Sequence, residues 1–443
     1  MAQTVSPTLT LVGRWIEGIR ARLTTTPGRL RLAAGLIAVG AIAFGVVAAG
    51  SASTRRQAAH AVATETEPRL VEAEGLYASL SDADATAVTT FLIGGLEPSG
   101  RRQRYVEDLR SASHELAKLT EHVGGSSQAR AAVLVISTQL PVYSGLVETA
   151  RANNRQGFPV GAAYLRQAST LMREQILPAG GQLYDVEARR LNSDYRSGVS
   201  TGALLVVIVV ACVMLALLVL AQVYVAWLTS RILNISMLVA TTLVLAVAIW
   251  VVAGFLNEQN ALVVAQRTGS DSVQILSAAR TLALRAQGDE SLALVARGGG
   301  EQNLADFNAV TGRLGAANGT GGLLGEAARI ARRSGSSAAI DELSTSFARY
   351  LAVHRQVAAL EVNGRFNDAV NLAVGFTATE LSISDALNSG LEQQIATAQR
   401  RFDRAGNDAT SALGGLWLAI PLVTLLFAFL ALDGLRQRSN EYR

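Results

Sequence analysis

The sequence predicts an all-α integral membrane protein, with four transmembrane helices and two extracytoplasmic four-helix-bundle domains in a duplicated span–bundle–span plan. Three observations point there. Four stretches carry no charged residue and are long enough to cross a bilayer, which takes about 20 apolar residues. Two long segments between them show helical apolar spacing. Half of the 443 residues are hydrophobic, aromatics make up 5%, and there are only eight prolines, a balance that suits long aliphatic helices better than strands.

In chain order, residues 1–31 read as a short cytoplasmic segment and 32–50 as the first span. Its charge-free run exceeds the roughly 7–15 residues of a signal-peptide core, so it is expected to stay as an anchor. Residues 51–201 form the first outer bundle and 202–228 the second span. The turn 229–231, Thr229-Ser230-Arg231, is so short that the third span, 232–256, must return antiparallel. The second outer bundle covers 257–411, the fourth span 412–432, and a tail 433–443 closes the chain.

Charge gives this layout a direction. The three short segments carry +4, +1 and +1, whereas the two long ones carry 0 and −2. Positive residues flanking spans stay in the cytoplasm, which places both termini inside and both bundles outside. The one cysteine, Cys212, excludes an intrachain disulfide, so each outer domain must hold by packing alone.

Each bundle shows its helices as stripes. Tyr105, Leu109, Ala112, Leu116, Leu119 and Val123 follow 4-3-4-3-4 spacing, with charged residues elsewhere. Leu343, Phe347, Tyr350, His354 and Val357 repeat the pattern. Breaks are expected at Gly94-Gly95 with Pro98, at Gly124-Gly125, and at Gly157 with Pro159. In the second bundle they are expected at Gly298-Gly299-Gly300, along 315–322 and near Gly364. Pro68 and Pro178 fall inside expected helices and mark kinks. The halves correspond sparsely: Phe91 to Glu97 aligns with Val295 to Glu301, and Asn154-Arg155 with Gly364-Arg365.

No residue pattern calls for a cofactor, a metal or nucleic acid. The four histidines lie at no ligand spacing, and Gly298-Gly299-Gly300 has neither a preceding strand nor a following Lys-Ser/Thr. His354 on its apolar stripe is expected as a satisfied core histidine. The carboxylates, scattered among arginines, read as solvated bundle faces. The spans contain no Asp, Glu, Lys, Arg or His, which speaks against transport by this chain alone. The short cytoplasmic segments leave no room for an output domain. The chain is therefore expected to be no enzyme, and to act through separate partners.

Two stretches of the first domain carry a resemblance. Leu80 to Ala87, then Phe91 to Pro98, then Tyr105 with Asp108-Leu109, form one. Ala163 to Met172 with Ile176 to Ala179 form the other. Together with the topology, they resemble the GlnX-like family of actinobacterial tetraspanning membrane proteins. The resemblance implies a signal relay. An extracytoplasmic amino-acid-binding lipoprotein, loaded with aspartate, glutamate or glutamine, would dock outside. A soluble cytoplasmic serine/threonine kinase, protein kinase G, would respond and adjust glutamate and 2-oxoglutarate metabolism.

The hairpin tips supply the candidate docking residues Gly94, Gly95, Glu97, Arg101, Arg102, Arg155, Arg297, Glu301 and Arg365. The inner segments supply Arg14, Arg20, Arg22, Arg29, Arg231, Arg436 and Arg438 as candidate kinase contacts. Expected partners are thus the lipoprotein, the kinase and the lipid bilayer, with self-association left open. Two other readings remain: a direct small-molecule sensor with chemoreceptor-like bundles, and an accessory or assembly subunit of a transporter. A convergent polar pocket between helices would favour the direct sensor, and a plain Ala/Leu core the relay.

Overall fold

The computed structural model describes residues 26–93, 97–123, 125–198, 201–229, 235–264, 269–316, 320–333, 337–374, 383–412, 419–427 and 429. Among them every regular element is helical. The chain runs α1 (Thr26–Ala61), α2 (Glu67–Ile93), α3 (Ser99–His122), α4 (Ser127–Arg155), α5 (Val160–Leu171), α6 (Leu177–Gly198), α7 (Thr201–Thr229) and α8 (Ile235–Val264). It continues with α9 (Asp271–Val295), α10 (Glu301–Leu314), α11 (Gly322–Arg333), α12 (Ala338–Val362), α13 (Phe366–Val374) and α14 (Ile383–Ala412).

Two π-helical turns, Val62–Thr66 and Met172–Ile176, precede α2 and α6. Each is followed within two residues by a proline, Pro68 or Pro178. Proline lacks the N–H that would close the helical bond and clashes with the carbonyl four residues back. The wider π-turn accommodates both effects, so the expected kinks take this form.

Four helical stretches are long and apolar enough to cross a membrane by length and composition: Gly35–Ile93 (its N-terminal part), Ser127–Arg155, Leu204–Tyr224 and Met237–Ala261. Three match expected spans. The fourth, α4, is amphipathic. Its stripe of Ala129, Ala132, Ile136, Leu140, Tyr143, Val147 and Ala150 is buried, and its other faces carry Arg130, Glu148 and Arg151. It belongs to a water-facing core. Of the expected span 412–432, the described part is 412, 419–427 and 429.

The chain forms two compact units. The first comprises 1–60, 196–261 and 408–443. Its interior joins Ile37, Met214, Leu218, Val244 and Phe427 in one cluster, and Phe44, Ala48, Val207, Val251, Phe255 and Ile420 in another. Residues of 419–427 thus pack among the three other apolar helices. Gly45 permits this, since a Cβ there would meet Thr424 Cγ2 at 2.6 Å. The outside of the unit is just as apolar: Leu36, Val39, Val46, Val209, Val213, Leu220 and Leu422 are exposed. A helix apolar on all faces has hydrocarbon, not water, as its solvent. Gln222 donates to Thr241 Oγ1 at 2.6 Å and to the Met237 carbonyl at 2.9 Å, satisfying the amide between α7 and α8. Beyond the charge-free runs, Arg55 and Glu258 form a buried ion pair at 2.8 Å, with the guanidinium 4.5 Å from the Phe255 ring centroid. Breaking such a pair would strand one buried charge.

The second unit comprises 61–195 and 262–407. One apolar core draws on α2, α3, α4, α5 and α6 through Leu76, Leu80, Tyr105, Ile136, Tyr143, Met172 and Leu183. A second draws on α9 to α12 and α14 through Leu276, Phe307, Leu324, Phe347 and Leu391. Smaller clusters join the two, packing Val88 with Leu292 and Leu92 with Leu294. The two segments expected as separate bundles therefore share one unit, with α2 against α9. Among the described residues the second segment also divides into six helices rather than four. Between the residues of α11 and α12 the sequence reads Ser334-Gly335-Ser336-Ser337, a loop signal.

Candidate functional site

Small residues bring α2 and α9 together. Ser81, Asp82, Ala83, Asp84 and Ala85 are consecutive and all buried, so this part of α2 has no solvent face. Opposite it, Ala279, Ala283, Ala286 and Gly288 are buried on α9. Polar groups placed there must find partners inside the protein.

Arg173, in the second π-turn, supplies the central one. Its Nε lies 3.4 Å from Asp84 on α2, and its Nη1 pairs with Asp289 on α9. Gly288 leaves the room, because a Cβ there would stand 2.7 Å from the guanidinium. Asp84 also accepts from Ser169 Oγ at 2.8 Å and from the Tyr143 hydroxyl at 3.4 Å. A second arginine, Arg280 on α9, crosses to Asp82 on α2 at 2.5 Å. Ser277 of α9 donates to Glu74 of α2. On the other side of α9, Glu290 accepts from the Tyr350 hydroxyl at 3.2 Å and contacts His354 Nδ1 at 2.8 Å. His354 also stacks on Phe307 with centroids 3.8 Å apart, a satisfied core histidine.

The two halves repeat one device. Tyr143 reaches a carboxylate 59 positions earlier, and Tyr350 one 60 positions earlier. Each hydroxyl reaches back to the first helix of its own half, α2 or α9. This correspondence is closer than any the aligned sequence segments offer.

Carboxylates outnumber cations in this interior. Glu74, Asp82, Asp84, Asp289 and Glu290 are buried, against Arg173 and Arg280. Burial pushes the Glu74 carboxyl up to about 7, against the opposing pull of Ser277 and Arg280. Burial and the charge of Asp82 push Asp108 up to about 7. Nearby, burial and Asp403 push Glu67 up to about 8.

A cavity of about 410 Å³ opens between α2, α6 and α9 beside this network. That size lies within the roughly 300–1,000 Å³ of small-molecule sites. Glu74, Tyr77, Asp84, Arg173, Tyr184, Gln274, Ser277, Arg280, Arg285 and Arg313 are among the residues that line it. A wider hollow of about 900 Å³ lies between α11 and α12. It is lined by exposed residues such as Glu326 and Arg329, which pair with each other at 3.0 Å.

The expected docking residues have their own arrangements. Glu97 pairs with Arg151, and Arg102 with Glu148 at 2.6 Å. Arg101 points to Asp385 at 3.8 Å and to the Val374 carbonyl at 3.5 Å. Arg297, held at φ +45°, stacks on Phe366, and Arg365 pairs with Asp368 at 2.7 Å. Arg155 and Glu301 are exposed. Gly94, Gly95, Arg14, Arg20, Arg22, Arg231, Arg436 and Arg438 lie outside the described residues. Arg29 lies in α1, where the backbone alone is described.

Sequence reasoning passed over Glu74, Asp84, Arg173, Arg280, Asp289 and Arg313. It read the carboxylates as solvated. The signal was present: around Leu70 to Thr90 the acids fall on every side of the helix, with no polar stripe. Moreover, the two stretches that carry the family resemblance meet here, Asp84 from one bonding Ser169 from the other.

Two outcomes follow. Arg173→Met leaves Asp84 and Asp289 buried without their cation, and is expected to destabilise the second unit by about 3–5 kcal/mol. Thermal unfolding of the purified chain measures this, and adding Asp84→Asn with Asp289→Asn should restore most of the loss. The raised carboxyls set a pH dependence. Their folded pKa values exceed the unfolded ones, so their contribution is full below about pH 4.5 and is lost as pH rises through about 7 to 8. The melting temperature should fall over that window, and Glu67→Gln should flatten its upper part.

Comparison with known proteins adds one match. Residues 58–196 match the family described as the actinobacterial sensor domain. Nothing among curated proteins or solved structures matches the chain. The matched segment spans α2 to α6 and contains Glu74, Asp84 and Arg173, and the match suggests a sensing or signalling role.

Proposed function

We propose that the chain is a transmembrane sensor whose outer unit takes up a small molecule directly and passes its occupancy inward. The observation that carries this reading is the polar cavity at the α2–α9 contact. A plain Ala/Leu interior would have left the outer unit only a surface to offer. Instead, charged groups from both halves converge on a space of ligand size, and a ligand there would alter the contact between them.

The distribution of charge supports the orientation: both termini in the cytoplasm, residues 61–195 and 262–407 outside. In the sequence α2 follows the first span and α9 the third. Chain connectivity would thus carry a change in how α2 meets α9 toward those two spans. Shifts of 1–2 Å between packed helices are a common currency of such signals.

The family resemblance supports the output side, a cytoplasmic serine/threonine kinase that tunes glutamate and 2-oxoglutarate metabolism. It also supports a second input, docking of an amino-acid-binding lipoprotein on the hairpin tips. Exposed Phe158, Val160 and Val362 lie at turns beside Arg155 and Arg365 and favour such a surface. The two inputs are compatible, since a docked protein could deliver its cargo.

In cells, aspartate or glutamate supplied outside should change phosphorylation of the kinase's substrate, and deletion of the gene should abolish the change. Arg173→Met with both aspartates converted to asparagine keeps the fold and should blunt the response. An unchanged response in the deletion strain rules out the kinase output. Cleavage of the outer unit from the cytoplasmic side in a protease-protection assay rules out the orientation.

A further inference from the structure

We propose that the α2–α6–α9 cavity binds a small organic anion bearing one or two carboxylates, with Arg285 and Arg313 holding the carboxylate and Glu74 donating a hydrogen bond to it. The proposal rests on the sensing reading and names the chemistry of its ligand.

The charges lining the cavity divide into satisfied and unsatisfied groups. Arg173 is held by Asp84 and Asp289, and Arg280 by Asp82 with Glu392 at 3.6 Å. Both are ion-paired, although the buried Arg280 Nε has no hydrogen-bond partner of its own. Arg285 is different: its nearest carboxylate is Asp289 at 3.9 Å, already engaged by Arg173, and 44% of its side chain is exposed. Arg313 on α10 lines the same space and has no ion-pair partner among the described residues. Tyr77, Arg285 and Arg313 all line this cavity, and the charge of both arginines reaches the Tyr77 hydroxyl. Planar guanidinium groups and a hydroxyl donor are the groups that recognise carboxylate.

Glu74 provides the independent sign of a missing partner. It is buried, its Oε1 accepts from Ser277, and its Oε2 has no hydrogen-bond partner. Such an orphan in a native interior costs free energy unless something fills the space. Tyr184 and Asp185 face it from α6, Gln274, Ser277 and Arg280 from α9, and Tyr77 lies beside it on α2. With its carboxyl pushed up to about 7 by burial, Glu74 is about half protonated at neutral pH and in that form can donate to an anion. A ligand ammonium would instead require the carboxylate form. The two cases differ in the sign of their pH dependence.

The test uses the full chain in lipid nanodiscs, titrated calorimetrically with acetate, malonate, succinate, glutarate and the neutral diamide of succinate. At least one carboxylate should bind and the diamide should not. Arg313→Gln, at an exposed position that the fold does not need, should weaken binding about tenfold or more, while Arg329→Gln should leave it unchanged. Affinity should rise as pH falls through 7, and Glu74→Gln should keep binding but remove that dependence. No binding by any carboxylate, equal binding of the diamide, indifference to Arg313→Gln, or tightening as pH rises would each overturn the proposal. Binding is read without any signal. If the anion binds as expected while cellular phosphorylation ignores Arg313→Gln, the sensing reading fails and the site stands.

Discussion

Arg173 reaches from a π-turn in one half of the chain to carboxylates on two helices, Asp84 on α2 and Asp289 on α9. Much else follows from that contact. A buried guanidinium needs anions near it, and buried aspartates need donors. Ser169 and Tyr143 supply the donors on one side, and Gly288 supplies the space. Two halves of similar plan are thereby committed to a single unit. An apolar seam of the same area would hold them as well, but would lack direction. Polar contacts of this kind fix register and can be shifted by a ligand or a proton.

The interior is acidic and only partly neutralised. Arg173 and Arg280 serve the aspartates, while burial raises the Glu74 carboxyl to about 7. The cavity sits where that imbalance is greatest, and Arg285 and Arg313 stand at it with cationic capacity to spare. Sensing would then consist of completing a half-built network. The first unit shows a different economy: apolar residues inside and out, a satisfied Gln222, and one buried pair, Arg55 with Glu258, beyond the charge-free runs.

Much of the fold was legible in the sequence, because spans and amphipathic stripes are statements about solvent. Charge-free runs of bilayer length, and the stripes at Tyr105 to Val123 and Leu343 to Val357, appear as helices with those residues inward. The joining of the two halves was not legible. A helix buried on every side has no periodicity to read, and its acids look like surface. The residues that chemistry would use, Glu74, Asp84, Asp289 and Arg313, come together from positions more than 200 apart, which spacing along one helix cannot reveal. The arginines at the hairpin tips were conspicuous in sequence, but their ties to a neighbouring carboxylate or ring, as for Arg102, Arg297 and Arg365, were not.

The coupling of α2 to α9 through the polar cavity is tested most directly by hydrogen–deuterium exchange on the full chain in nanodiscs, with and without the best-binding carboxylate. Amides of 70–90 and 274–292 should slow together on binding, with the effect lost in Arg173→Met. Protection confined to one of the two helices, or exchange unchanged in both, would contradict a ligand-responsive contact between the halves.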